Sequence, residues 1–263
     1  MNIIEHRDFS DTKIAIVIPS LNGAERIKQL IPRLSFLQAD ILIVNDGSNR
    51  KHTNEYVSIA ASYTNTHIVH LKKNYGQRIA SIVGLAFATQ TFNSKYLITI
   101  DDDGQHPPEI IPKMILSLER KPLVDLVYAS PQSAYTRNPI RRFGSICNQL
   151  LFQKALHLPS DISVGSFRAI RYQLAFTALQ KKYSYPYLSA MLIPHCRSIS
   201  QVQYTQQKNS NTSPAPSRQK IYKLVTTWLA IFFFWGPFQN IAKFVKAKKL
   251  FNPYDYIGKI DEK

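Results

Sequence analysis

The sequence predicts an α/β fold in which a mostly parallel sheet is flanked by helices on both faces. Three observations carry that reading. Short runs rich in Ile, Val and Leu recur at Ile14–Ile18, Ile41–Asn45, Ile68–Leu71, Tyr96–Ile100 and Leu123–Tyr128. They show little polar alternation, as strands covered on both sides require. Amphipathic stretches separate them, at Ala24–Leu37, Thr53–Tyr63, Gln77–Ala88 and Glu109–Glu119. Strand–helix alternation at this spacing gives parallel strands joined by right-handed crossovers. Finally, the first four runs each end in a polar group rich in Asp, Asn and Gly.

The second half is less regular. Pro139–Leu156 and Tyr172–Gln180 read as helices and Ser198–Tyr204 as a strand. Gln206–Ser217 is polar, holds two prolines and lacks apolar spacing, so a mobile loop is expected. Lys223–Phe238 is the most apolar stretch, broken at Gly236–Pro237 and followed by Lys243, Lys246, Lys248 and Lys249. The organisation expected is a main domain over 1–217 and an apolar, basic helical segment over 218–263.

A chain of 263 residues buries a sizeable core, and 44% hydrophobic with 19% charged residues is globular composition. Cys147 and Cys196 form neither a disulfide framework nor a CxxC spacing, which favours a reducing compartment. Met1–Lys13 carries charges throughout and no apolar core, so no secretion signal is expected. Charge divides the chain. Up to Asp125 there are 14 basic and 13 acidic residues, and from Leu126 onward 19 and 4. Nucleic acid, an anionic membrane surface and a phosphate-bearing acceptor all suit such a basic half. The aromatic residues cluster in one apolar block and do not interleave with the cations, which argues against nucleic acid.

Ligands of open α/β sheets bind at the carboxyl ends of the strands. The four strand ends carry Pro19-Ser20-Leu21-Asn22-Gly23-Ala24-Glu25, Asn45-Asp46-Gly47-Ser48, Lys72 to Gln77, and Asp101-Asp102-Asp103-Gly104-Gln105-His106. Turn chemistry accounts for Asn-Asp-Gly-Ser, and a helix start for His106-Pro107-Pro108-Glu109. Three adjacent carboxylates are harder to dismiss, since they repel one another and a cation relieves them. Strand alternation puts Asp101 and Asp103 on one side and Asp102 opposite, a spacing suited to a hard divalent ion completed by waters and a diphosphate. The GxGxxG fingerprint and the P-loop lysine motif are both missing, which argues against a Rossmann dehydrogenase and a P-loop enzyme. Pro19–Glu25 also lacks the Gly-rich, basic loop of a sugar nucleotidyltransferase.

These segments resemble the family-2 glycosyltransferases, whose Rossmann-like fold is called GT-A. They resemble most the polyisoprenyl-phosphate sugar transferases, in which Asp101 to Glu109 is matched by Asp-Ala-Asp-Leu-Gln-His-Pro-Pro-Glu. The likeness covers the first half and extends to Val164-Gly165-Ser166-Phe167-Arg168. It implies that Pro19, Leu21, Asn22 and Asp46 line the base and ribose pocket, with Asn74, Gly76, Gln77 and Asp102 completing the nucleotide-sugar site. Asp101 would face ribose and diphosphate. Asp103 and Gln105, with Asp101, would hold Mg2+ or Mn2+. Arg141, Arg142 and Ser145, with Arg168, would hold the acceptor's phosphate. The chain departs from the family at Asn45, where an Asp is usual, and at Gly23, where a Glu is usual and Glu25 is a candidate substitute. Pro131 stands where the subgroup has Arg, and Lys208–Thr212 is a poor match to its Arg-x-x-Gly-x-Ser-Lys loop.

The function that follows is inverting transfer of a sugar from a UDP- or GDP-linked donor to a lipid-linked acceptor, a polyisoprenyl phosphate. A sugar hydroxyl in surface-polysaccharide assembly stays open as the acceptor, as does a non-catalytic nucleotide-binding relative. A phosphate acceptor needs no base; a hydroxyl does, and Asp161 is the acidic residue of the second half best placed for it. Asp103 and Asp161 are thus the candidate catalytic residues. Asp46, at a strand end, is expected to matter more for binding than for stability. Thr226–Phe238, aromatic and flanked by cations, is shorter than the roughly 20 residues a span requires. It suits a helix lying in a membrane interface, with a buried core helix as the alternative. The protein is then expected to be cytoplasmic and peripheral, at the inner face of the membrane.

Overall fold

A computed structural model of the chain describes residues 12–132, 161–205 and 250–261, with 153, 154, 156, 158, 159, 226, 229, 230 and 233–235. The expected helix at 139–156, the loop at 206–217, and Arg141, Arg142 and Ser145 lie wholly or mostly outside these residues.

The first described element is strand β1 (Ile14–Ser20), every residue of it buried. Helix α1 (Ala24–Leu34), strand β2 (Asp40–Asn45), helix α2 (Arg50–Ser62) and strand β3 (Thr66–Leu71) follow. Helix α3 (Gln77–Thr91), strand β4 (Tyr96–Thr99), helix α4 (Ile111–Arg120) and strand β5 (Leu126–Pro131) complete the regular half. Strand β6 (Arg168–Arg171), helices α5 (Tyr172–Leu179) and α6 (Leu188–Leu192), strand β7 (Ile199–Tyr204) and strand β8 (Ile257–Asp261) come next.

Among the described residues, eight strands form one sheet in the order β7-β5-β6-β4-β1-β2-β3-β8. The pairs β1–β2, β1–β4, β2–β3 and β5–β7 are parallel, whereas β6 runs antiparallel to β4 and β5, and β8 antiparallel to β3. Ile14, Ile16 and Ile18 of β1 pack with α1, α2 and α4, while Ala15 and Val17 face α3, α5 and α6 on the other side. Alternate residues of one strand thus serve two cores, which is why the strands read as unbroken apolar runs. On the second face, α3 lies close enough that a Cβ at Gly84 would fall 2.4 Å from Val17 and 2.5 Å from Val44.

Two strands were not anticipated. β6 has four residues, two of them Arg, and β8 is an edge strand whose residues 258–260 are exposed. β8 joins the sheet from beyond the boundary expected at 217, and the buried Phe251 bonds through its N–H to the Tyr183 carbonyl. Residues 250–261 therefore belong to the main fold and not to a separate helical segment. Among the described residues no helix is long and apolar enough to cross a membrane. Phe234 stacks on Tyr185 at 5.8 Å, and Trp235 Nε1 donates to the Tyr185 carbonyl at 3.0 Å, so these two aromatic residues face the domain.

Candidate functional site

The carboxyl ends of β1, β2, β3 and β4 meet at a crevice of about 350 Å³. Its lining is Pro19, Ser20, Leu21, Arg26, Asp46, Asn74, Gly76, Gln77, Asp101, Asp102 and Asp103. Nine of the residues singled out in the sequence come together there. A larger cavity of about 740 Å³ lies near Leu156, Ile193–Ile199 and Trp235, at the opposite, N-terminal end of β7. It carries none of the strand-end groups, so chemistry and not volume selects the smaller one.

Each strand end is held by its neighbours. Asp46 is 2% exposed, and its two carboxylate oxygens accept the Tyr75 and Gly76 N–H groups, each at 2.8 Å. The β2–α2 turn approaches this loop closely. Gly47 has φ +72, and a Cβ there would sit 2.4 Å from the Asn74 nitrogen, so both the backbone and the space demand glycine. Asn74 Oδ1 also accepts from Gly76 N–H, which has φ +88 just before α3. The loop that carries Asn74, Gly76 and Gln77 into the crevice is thus clamped by Asp46.

The three aspartates lie in the turn after β4 and not on the strand, so strand alternation does not set their directions. They diverge through their partners. Asp101 accepts Gln77 Nε2 at 2.5 Å and Ser166 Oγ at 2.6 Å. Asp102 Oδ2 accepts Ser20 Oγ at 2.5 Å and Arg26 Nη2 at 3.0 Å. Asp103 Oδ1 takes the Gln105 N–H at 3.0 Å and stays exposed at the mouth. Burial raises the Asp102 pKa, against the hydrogen bonds of Ser20 and Arg26. Burial lowers that of His106, which stacks on Phe167 at 4.9 Å, while Asp101 and Asp103 pull it the other way. Burial and then the charges of Asp103 and Asp101 raise the Tyr204 hydroxyl, so that ring stands within the field of the same two carboxylates.

Other expected residues fall elsewhere. Asn22, at φ +50, links the loops: its N–H reaches Ser48 Oγ and its Oδ1 accepts from Asn49 N–H, both at 2.9 Å. Glu25 is 67% exposed beside Lys28 on the outer face of α1, so it does not substitute for the residue missing at 23. Gln105 and Asp161 are exposed and do not line the crevice. Arg168 is only 8% exposed, with Nε on the Ser166 carbonyl and Nη1 on Ser189 Oγ. Buried and bonded inward, it is not presented to an acceptor's phosphate. Asn45 is also internal. Its Nδ2 meets His70 Nδ1 at 2.8 Å and Thr53 Oγ1 at 3.1 Å, and its Oδ1 accepts Ser48 N–H. An amide supplies the donors this network uses, whereas an ionised carboxylate has none, which accounts for Asn here.

Four contributors went unread as site residues in the sequence: Ser20, Arg26, Tyr56 and Ser166. Tyr56 is fully buried on α2, where it reads as core, yet its hydroxyl meets Ser20 Oγ at 2.7 Å and accepts Gly23 N–H at 2.9 Å.

The chain is similar to known proteins in sequence and in fold. The sequence model of Glycosyl transferase family 2 matches residues 15–176. An undecaprenyl-phosphate 4-deoxy-4-formamido-L-arabinose transferase of Yersinia pestis is 34% identical over 153 residues, 55% of this chain and 45% of its own. An uncharacterised protein of Methanocaldococcus jannaschii is 31% identical over 165 residues, 59% of this chain and 70% of its own. The match thus spans less than half of the Yersinia relative. Among solved structures, mannosyl-3-phosphoglycerate synthase of Rubrobacter xylanophilus aligns with TM-score 0.59 at 13% identity, over 95% of this chain and 86% of that one. S. aureus TarS aligns with TM-score 0.55 at 13% identity, over 84% and 66%. At such identities the structures speak for the fold alone, while the family match covers more than half of the sequence: the chain belongs to glycosyl transferase family 2 and has the GT-A fold.

Proposed function

We propose that the chain transfers a sugar, with inversion, from a UDP- or GDP-linked donor to a polyisoprenyl phosphate at the inner face of a membrane. The observation that carries the donor half is the convergence of four strand ends on one polar crevice. The acceptor half is supported by the Yersinia relative, whose name specifies undecaprenyl phosphate, and by the basic second half of the chain.

In this reading Pro19 and Leu21 offer an apolar wall to the base, and Asn74, Gly76 and Gln77 present polar groups to ribose and diphosphate. Among the described residues no three His, Cys, Asp or Glu side chains gather as a metal site. The donor the crevice offers is the exposed Asp103 carboxylate, and Gln105, whose backbone N–H that carboxylate accepts, would have to turn its side-chain oxygen toward the mouth to join it. Such hard oxygen donors would suit Mg2+ or Mn2+ and leave the rest of the shell to other ligands. A divalent ion bound there supplies positive charge against the leaving diphosphate. Asp101, tied to Gln77 and Ser166, serves as an oriented acceptor for the donor. The bond from the anomeric carbon to the diphosphate oxygen breaks, and an acceptor oxygen forms the new bond from the opposite face. A phosphate acceptor is already anionic and leaves no proton to be removed.

The test is transfer to undecaprenyl phosphate from a panel of UDP-, GDP- and CMP-sugars, with Mn2+ or with EDTA. Asp103→Ala is expected to abolish transfer with an unchanged melting temperature. Undiminished transfer in EDTA overturns the metal role. Absence of transfer and of donor hydrolysis across the panel overturns the function itself.

A further inference from the structure

The crevice is crowded with negative charge. Asp46, Asp101, Asp102 and Asp103 line it, and among its described lining residues Arg26 is the one cation. A diphosphate brings further negative charge, which these carboxylates oppose unless cations answer it.

Arg26 is held in a built position. Ser20 and Tyr56, 3% and 0% exposed, bond each other, and Ser20 donates to the same Asp102 oxygen that receives Arg26 Nη2. Gly23 makes room for this arrangement. A Cβ there would fall 2.1 Å from Asp102 Oδ2, 2.6 Å from Arg26 Nη2 and 2.6 Å from Ser20 Oγ. Its φ of −117° is open to any residue, so a side chain at 23 would be opposed by these three side-chain ends, which would have to shift, and not by backbone conformation. The side chain of Arg26 remains 46% exposed. A guanidinium has five N–H donors in a planar fork, and Asp102 engages only Nη2, which leaves donors of the kind that match phosphate oxygens.

We propose that Arg26 binds the diphosphate of the nucleotide-sugar donor, with Ser20, Tyr56 and Asp102 as the residues that position it. The inference rests on the donor reading above and adds to it a diphosphate-binding residue that the sequence motifs did not indicate.

Calorimetry with UDP and GDP, and ligand-observed NMR with uridine and guanosine at millimolar concentration, test it on the full chain in Mn2+. The variants are Arg26→Met, which keeps an apolar stem and removes the charge, and Arg26→Lys. Loss of one or two charge-assisted hydrogen bonds should weaken the diphosphate that the wild type binds roughly ten- to a hundred-fold. Nucleoside binding should stay unchanged, and Arg26→Lys should recover part of the loss, because it keeps the charge without the fork. Unchanged diphosphate affinity in Arg26→Met overturns the proposal. So does an equal loss for diphosphate and nucleoside, which reports a structural role. Should the wild type bind neither diphosphate, the donor reading fails and this inference with it, an outcome distinct from a failure of Arg26 alone.

Discussion

Replacing Asp46 is expected to cost the fold as well as the site. Its carboxylate is 2% exposed and accepts two backbone N–H groups at 2.8 Å, from Tyr75 and Gly76. A hydrogen bond to a charged group contributes about 1.5–3 kcal/mol. The two N–H groups are only partly buried, so water recovers some of that in the variant, and Asp46→Ala should cost about 2–4 kcal/mol. Against a total stability of about 5–15 kcal/mol this is a large fraction. Asp46→Asn keeps one acceptor oxygen and turns an amide NH2 toward the other donor, so it should cost roughly half as much. Urea denaturation followed by circular dichroism reads the effect, with a midpoint lowered by roughly 1 M for Asp46→Ala. Nucleotide affinity should fall in parallel, since the loop at 74–77 loses its clamp. A loss of stability below about 0.5 kcal/mol, the scale of an ordinary surface substitution, would refute the clamp. Strand-end position alone led to the expectation that Asp46 matters more for binding than for stability; its two backbone hydrogen bonds predict a substantial stability cost as well.

Three further outcomes are expected. Gly84→Ala should destabilise, because overpacking against Val17 and Val44 costs about 1–3 kcal/mol and exceeds the roughly 1 kcal/mol that Ala gains in a helix; a raised melting temperature would contradict the packing. Burial pushes the Asp125 carboxyl up, but the hydrogen bonds and charge of Arg197, with Arg171, outweigh it and hold the pKa below 3.8. The stabilisation from this group is present above 3.8 and disappears as pH falls through the lower native value, so Asp125→Asn should flatten the part of the acid limb of stability that lies below 3.8. An unchanged acid limb would remove the pair from the account. Residues 218–250 should carry the protein onto anionic vesicles at low salt and release it as salt rises, with Leu229→Ser, at a position 66% exposed, weakening flotation. Wild-type protein that never floats would leave the aromatic segment as part of the fold.

The regular half was legible because its strands are buried on both faces, so hydrophobic runs and strands coincide to within a few residues. The exceptions have physical causes. The fifth run was expected from Leu123, but Leu123 is 66% exposed and the strand starts at Leu126. Between them lies Asp125, a buried charge that no apolar pattern marks and that Arg197 and Arg171 neutralise from distant positions. β6 is short and bounded by Arg168 and Arg171, whose guanidinium groups lie near the Tyr128 and Tyr96 rings. β8 is an edge strand in which Ile257 is half-buried and residues 258–260 are exposed, so no apolar run marks it.

The site was legible where a residue's type is unusual for its place, as with three aspartates after an apolar strand. It was not legible where chemistry depends on residues far apart in sequence. Ser20, Tyr56 and Ser166 come from β1, α2 and the segment before β6, and each alone reads as strand, core or loop. Gly23 shows the difference between the two levels. In sequence it is a departure, a missing acid with Glu25 as the nearest replacement. In space it is the opening through which the Asp102 carboxylate reaches Ser20 and Arg26. Glu25 points outward beside Lys28, whereas the next residue along α1 faces the crevice. One step along a helix turns the side chain by about 100°. A substitution that looks like loss of a carboxylate is thus coupled to a carboxylate supplied from another strand end. The two positions should be tested together, since a side chain at 23 and the carboxylate at 102 compete for the same space.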